Sequence, residues 1–318
     1  MCLPYAKPPV ADPRLVSLVA GITFPNPVGL AAGYDKDAEV PNAMFRFGFG
    51  FVEVGTLTPL PQAGNPKPRL FRLVEDAAVI NRMGFNNGGQ EAAYARLARA
   101  RSRGGIIGVN IGANTDTVDR IADYVAGVTR MADVASYLTI NISSPNTPGL
   151  RALQDEGALT DLLARVREAV AEDGPPIFLK LAPDLSHADI DMITRVALGQ
   201  VDGLIVSNTT LSRPPLKARD AGEAGGLSGA PLKPLAQQCL IAFRKSSGGA
   251  IPLIAAGGIA SAQDAYARIR AGASLVQIYS ALVYDGPGLA QRINTGLKSL
   301  LIRDGLASIA DAVGVDAR

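Results

Sequence analysis

Residues 137–150 read YLTINISSPNTPGL, and the fold of the chain turns on how this stretch is understood. Tyr137 to Ile140 is a β-branched and aromatic run of the kind that forms a buried strand. From Asn141 onward polarity arrives all at once, with Ser143, Ser144, Asn146 and Thr147 set among Pro145 and Pro148. The prolines cannot continue a helix or a sheet and they restrict their neighbours, so Ser144 and Asn146 are presented in a nearly fixed geometry at a strand end. The same residue types also build ordinary turns. Taken alone, the stretch leaves a polar site and a simple turn equally open.

Working outward, the same rhythm recurs. Strand-like runs at residues 28–32, 49–54, 105–111, 176–181, 204–206, 252–256 and 275–278 join 137–140 to make eight, and helical patterns follow them, among them 90–101, 117–135, 155–171 and 234–245. Ser186 with Asp189 and Ser261 with Asp264 read as capping boxes, and the chain from Gly286 to its end reads as helical. Residues 12–24 suit a short hairpin or cover segment closing one end of the core. Residues 57–88, with Pro59, Pro61, Pro66 and Pro68, break the rhythm, and 69–74 with 78–81 read as an inserted covering hairpin. Residues 211–229 read as a loop closing in GGLSG.

Alternating strands and helices predict a parallel sheet in an α/β fold, and eight strands can close into a (β/α)8 TIM barrel. A doubly wound open sheet is the alternative. The barrel is favoured because Lys36, Thr56, Asn110, Ser144, Lys180, Asn208, Gly257-Gly258 and Tyr279-Ser280 all fall at C-terminal strand ends, which face one another only when the sheet closes. The expected organisation is a short N-terminal segment, 1–24, and one barrel domain, 25–318, with the hairpin inserted after the second strand.

Composition sets the outer bounds. A chain of 318 residues, 47% hydrophobic and 19% charged, has ample core for a soluble globular protein, and a formal charge of +2 points to no nucleic acid or other polyanionic partner. Cys2 and Cys239 are the only cysteines, which gives neither a disulfide framework nor a metal spacing and fits a cytosolic redox setting. No apolar run is long enough to span a bilayer, and the proline-rich first eleven residues do not read as a signal peptide.

The strand ends also indicate chemistry. Gly257-Gly258 after the seventh strand and Tyr279-Ser280 after the eighth occupy the place where such barrels often hold a phosphate, with the helix opening at Ser261 adding its positive end. Lys36 and Lys180 stand in an otherwise neutral wall, where a lysine should neutralise an anion. Asn81, Asn141, Asn146 and Asn208 offer paired donors and acceptors suited to the edge of a planar imide or amide ring. His187, the only histidine, belongs to a helix surface, and no metal cluster or hydrolytic triad can be assembled. The acid-base candidates that remain are Ser144 and Lys180 beside a bound cofactor.

From about Phe24 to the C-terminus, the segments GLAAGYDKD, GTLTP, KPRLFRL, NRMGFNN, NISSPNTPGLR, LKLAPDL, SNTTL, GGLSG and AGASLVQIYS occur in this order. Together they resemble class 2 dihydroorotate dehydrogenase, the quinone-linked flavoenzyme of pyrimidine (UMP) synthesis. The resemblance implies a barrel holding FMN, oxidation of (S)-dihydroorotate to orotate, and electron transfer to a quinone. By matching motif, Ser144 stands where the class 2 base stands; the cytosolic class has cysteine there. Asn81, Arg82, Met83, Gly84, Phe85, Asn141, Asn146, Asn208 and Thr209 fall on substrate positions, with Lys36 near both substrate and flavin. Ala32, Lys36, Thr56, Asn110, Asn141, Lys180, Ser207, Gly229, Gly258, Tyr279 and Ser280 fall on FMN positions, the last three at the phosphate.

The implied mechanism has Ser144 remove a proton from C5 of the substrate while hydride passes from C6 to flavin N5, with Lys180 stabilising charge on the flavin. A serine hydroxyl is a poor base, so Thr147 or an ordered water is expected to relay its proton. Class 2 members carry an N-terminal helical pair that docks on the membrane, whereas about two dozen residues precede the barrel pattern here. The expectation is a protein on the cytoplasmic side of the cell membrane with peripheral contact at most, or a soluble cytoplasmic one. A fumarate- or NAD-linked dihydroorotate dehydrogenase is the nearest alternative, opposed by Ser144 in place of cysteine. A related flavin-dependent pyrimidine reductase, a barrel that keeps FMN without turnover and a non-flavin phosphosugar isomerase stand further off.

Overall fold

The computed structural model describes residues 10–147 and 149–317. Cys2 and Pro148, and most of the proline-rich N-terminal stretch, lie outside the described residues.

The cover segment is an antiparallel hairpin of β1 (Ser17–Val19) and β2 (Ile22–Phe24). Next come β3 (Val28–Leu30) and β4 (Phe51–Leu57), then the inserted pair β5 (Leu70–Leu73) and β6 (Ala78–Asn81). After these follow β7 (Ile106–Ile111), β8 (Tyr137–Asn141), β9 (Ile177–Leu181), β10 (Gly203–Val206), β11 (Gly226–Gly229), β12 (Leu253–Ala256) and β13 (Ala273–Ile278). Eight of these, in the order β3-β4-β7-β8-β9-β10-β12-β13, pair in parallel and close on themselves, because β13 bonds back to β3. Closure rules out the open sheet. The strands are buried on both faces, which is why they read as apolar runs without alternation.

Inside the barrel, Phe51, Tyr137, Phe178, Ile205, Ile254 and Leu275 form an apolar plug near the strand N-termini, and Val19 and Phe24 of the hairpin seal it from below. The Phe24 and Phe51 rings meet edge to face at 5.1 Å, and those of Tyr137 and Phe178 lie tilted at 42° with centroids 4.9 Å apart. Two glycines make room. A Cβ on Gly29 would lie 2.2 Å from the Phe51 ring, and one on Gly108 would lie 2.0 Å from the ring of Tyr137. Burying each aromatic contributes about 1.5–3 kcal/mol.

Several boundaries differ from the sequence reading, each for a local reason. The helix after β7 is Arg120–Met131 and not 117–135, because Asp119 caps it by accepting from the Ala122 N–H. Ser186 and Asp189 form the expected capping box; Ser261 caps its helix, but Asp264 turns instead to the Ala260 N–H and Lys233. The C-terminal helix Leu289–Arg303 stops at Gly305, whose φ of +69° ends it, and only short 3-10 turns follow. The GGLSG stretch is not loop. Its residues form β11, which pairs antiparallel with β6 and turns the expected hairpin into a three-stranded sheet.

Candidate active site

Alternation along a strand aims every second residue the same way, so the positions two beyond the plug also point inward: Glu53, Lys180 and Gln277 after Phe51, Phe178 and Leu275. Their hydrogen bonds confirm it. Gln277 on β13 donates to Glu53 Oε2 on β4 at 2.7 Å, and the Tyr137 hydroxyl on β8 donates to the same oxygen at 3.1 Å. None of these strands are neighbours, so the bonds cross the barrel interior. Asn110 Nδ2 donates to Glu53 Oε1 at 2.7 Å, Thr56 Oγ1 donates to Asn110 Oδ1 at 2.6 Å, and Asn141 Nδ2 donates to both Asn110 Oδ1 and Thr56 Oγ1 at 3.0 Å. A continuous polar network thus rises from the barrel centre to its C-terminal mouth.

The stretch that began the sequence reading caps this network. Asn141 Oδ1 accepts from the backbone and hydroxyl of Ser143, and Asn208 Nδ2 donates to Ser143 Oγ at 3.0 Å. Arg151 straps the loop from outside, donating to the Ser143 and Thr209 carbonyls and pairing with Asp184 at 3.0 Å. Ser144 is held just inside the mouth, 6% exposed, its Oγ accepting from the Asn146 N–H at 3.2 Å. Asn146 Nδ2 reaches Asn81 Oδ1 on β6 at 3.2 Å, which joins the loop to the inserted sheet. Thr147 Oγ1 is buried with no hydrogen-bond partner among the described residues.

Above the network lies a cavity of about 280 Å³. On one side it meets the glycine turn after β12. Gly257 and Gly258 have φ of +101° and +71°, and a Cβ on Gly258 would lie 2.6 Å from Lys233 Cα, so the position suits only glycine and leaves the backbone open to an anion. Arg268, buried beneath, holds the turn by donating to the Gly257 and Lys233 carbonyls at 3.0 and 2.8 Å. Ser280 Oγ donates to Ser228 Oγ at 2.7 Å, which brings the loop after β13 against β11. Among the residues at the outer side of the cavity are Leu70, Arg72, Val79, Val283 and Tyr284.

Both lysines line this cavity. Burial is the main cause that brings the Lys36 ammonium down to about 8; nearby Arg69 adds to the fall and Asp37 opposes it. Burial also lowers Lys180, with Glu53 as the opposing charge.

Most of the residues singled out in the sequence meet here. Ala32, Lys36, Thr56, Asn81, Met83, Gly84, Phe85, Asn141, Ser144, Asn146, Lys180, Ser207, Asn208, Thr209, Gly229, Gly258, Tyr279 and Ser280 all line the one cavity. Three do not. Asn110 stands behind Thr56 and Asn141, and Thr147 is buried within the loop that carries Ser144 without lining the cavity. Arg82 is turned to Glu223, with which it pairs at 2.7 Å, and stacks over the Phe71 ring; alternation on the strand that carries Asn81 sends it to the other face. His187 is exposed on its helix surface. Sequence reasoning missed Gln277, Tyr137, Arg151 and Asp184, and the outer residues Arg72 and Tyr284. The only signal for Gln277 was a polar residue inside an otherwise apolar strand, ASLVQI.

Comparison with known proteins agrees with the closed barrel. The family model described as dihydroorotate dehydrogenase matches residues 14–301. The chain is 64% identical to the dihydroorotate dehydrogenase (quinone) of Erythrobacter litoralis, over 98% of this chain and 91% of that one. It is also 64% identical to that of Sphingopyxis alaskensis, over 99% and 90%. The solved structure of ligand-free DHODH from Eimeria tenella superposes with a TM-score of 0.94 at 43% identity, covering 97% of this chain and 93% of that one. Its complex with ferulenol gives a TM-score of 0.93, also at 43% identity, covering 97% and 90%. With a family model matched over residues 14–301 and relatives matched over nearly its whole length, the chain belongs to the dihydroorotate dehydrogenase family.

Proposed function

We propose that this chain oxidises dihydroorotate to orotate on a bound FMN and passes the electrons to a quinone, as a step of pyrimidine synthesis. The observation that carries the reading is the single cavity in which Ser144, a set of asparagines, two lysines and a glycine cradle converge. The donor set fits FMN: glycine turns with open backbone for a phosphate, and Thr56, Asn141 and Lys180 to meet a polar ring edge. FMN, when bound, supplies the two-electron acceptor that no side chain offers.

The chain's own residues then bind, orient and move a proton. Gly258, Tyr279 and Ser280 hold the phosphate end. Asn81, Asn146, Asn208 and Thr209 read the substrate ring, and Lys36 balances its carboxylate. Ser144 takes the proton at substrate C5, and the Thr147 hydroxyl, buried without a hydrogen-bond partner among the described residues, or a water, carries it onward. The apolar outer rim, where Leu70 is 58% and Val283 40% exposed, is where a quinone approaches. No helix among the described residues is long and apolar enough to cross a membrane, so the membrane contact this reading expects is peripheral, at the cytoplasmic face.

The test is to add dihydroorotate without oxygen to the purified protein and follow the visible flavin absorbance. Bleaching, followed by recovery with a soluble quinone analogue, is expected. Recovery with fumarate or NAD alone would remove the quinone assignment, and a yellow protein that never bleaches would leave a flavin-retaining barrel.

A further inference from the structure

Glu53 has no role in the reading above, yet it sits at the centre of the barrel. Its side chain is fully buried. Asn110 donates to one carboxylate oxygen, and Gln277 and Tyr137 donate to the other. A buried charge costs several kcal/mol unless it is hydrogen-bonded and paired, and three donors from three other strands form a seat built for a carboxylate. The pairing partner is Lys180, whose Nζ lies 4.0 Å from Oε1. That distance is too long for a hydrogen bond but short for a Coulombic attraction in a dry interior. Glu53 therefore attracts the ammonium without capping it, and the Lys180 N–H groups remain available to the cavity that the residue lines.

We propose that Glu53 is a positioning residue that holds Lys180 in place as a cation, without taking up its hydrogen bonds, so that this ammonium meets the ring of the bound cofactor. The proposal rests on the FMN reading of the site. Glu53 acts through Lys180 and does not itself touch cofactor or substrate, since Glu53 is absent from the cavity wall while Lys180 and Gln277 are part of it. Burial alone drives the Lys180 ammonium down, and Glu53 is the charge that opposes the fall.

The sign of one measurement decides the matter: the midpoint potential of bound FMN in the wild-type holoenzyme and in Glu53→Gln. Without its counter-ion Lys180 gives up its proton, so the preference for the reduced cofactor should weaken about tenfold, a fall of ~30 mV for two electrons. A rise would mean that Glu53 acts only as a bare anion, and no change would mean that it does not act at all; either overturns the proposal. E53Q leaves the Lys180 ammonium buried without its counter-ion and can unfold the chain, so E53Q/K180Q is also compared with K180Q, a pair in which the double variant leaves no unpaired buried charge. No further fall is expected there. A further fall would reveal a route that bypasses Lys180 and would overturn the proposal. A wild-type protein that takes up no FMN would defeat the FMN reading itself, and is seen before any variant is made.

Discussion

The barrel interior has two layers that lie two residues apart on the same strands. Phe51, Phe178 and Leu275 make the lower one, and Glu53, Lys180 and Gln277 the upper. Backbone direction is the same in both, so what differs is the surroundings. The lower layer is closed by Phe24 and the N-terminal hairpin and needs only burial to be stable. The upper layer faces the cavity, and it stands only because its carboxylate has three donors and a nearby ammonium. Tyr137 belongs to both, with its ring in the plug and its hydroxyl on Glu53. An apolar floor excludes water from below, and this keeps the charges above it strong.

The contrast can be broken from either side. The largest effect expected is on chemistry at the polar mouth: Ser144→Ala should slow flavin reduction by about 10²–10⁴-fold, measured by stopped flow, while thermal melting and orotate affinity change little. Comparable losses in orotate binding would remove Ser144 as the base. Next, Phe178→Ala breaks the floor and should cost about 3–5 kcal/mol, read from urea unfolding, because a fully buried ring leaves a cavity that the closed barrel cannot collapse.

Tyr137→Phe tests the seam between the layers. It keeps the ring and removes one donor from Glu53, so it should cost about 1.5–3 kcal/mol in the same unfolding assay; a neutral result would show that the hydroxyl bond carries no weight. The smallest effect concerns pH. With Lys36 brought down to about 8 by burial, the free enzyme carries that ammonium below pH 8 and loses it above. The KM for dihydroorotate should therefore rise several-fold as pH climbs from 7 to 9, and Lys36→Met should flatten the rise. The sign for stability is opposite: between about 8 and the ordinary lysine value the unfolded chain binds more protons, so unfolding free energy increases with pH there.

Much of this was legible in the sequence because it depends on local pattern. Eight apolar runs each ending in a polar or glycine residue gave the barrel, and 137–150 gave the site, since prolines and amides at a strand end constrain the backbone whatever lies around them. Other features are not local. The GGLSG stretch becomes a strand only because β6 offers a free edge beside it. Arg82 sits next to Asn81 in sequence, yet alternation sends one toward the loop of Ser144 and the other toward Glu223.

The sequence by itself determined where strands end and which chemistry gathers at those ends, because strand propensity, proline and glycine act through the backbone of a few residues. Only the tertiary structure decided which inward side chains meet across the barrel. Glu53, Tyr137, Lys180 and Gln277 come from strands separated by up to 224 positions in the chain, and their pairing follows from closure and register, which no short window of sequence contains.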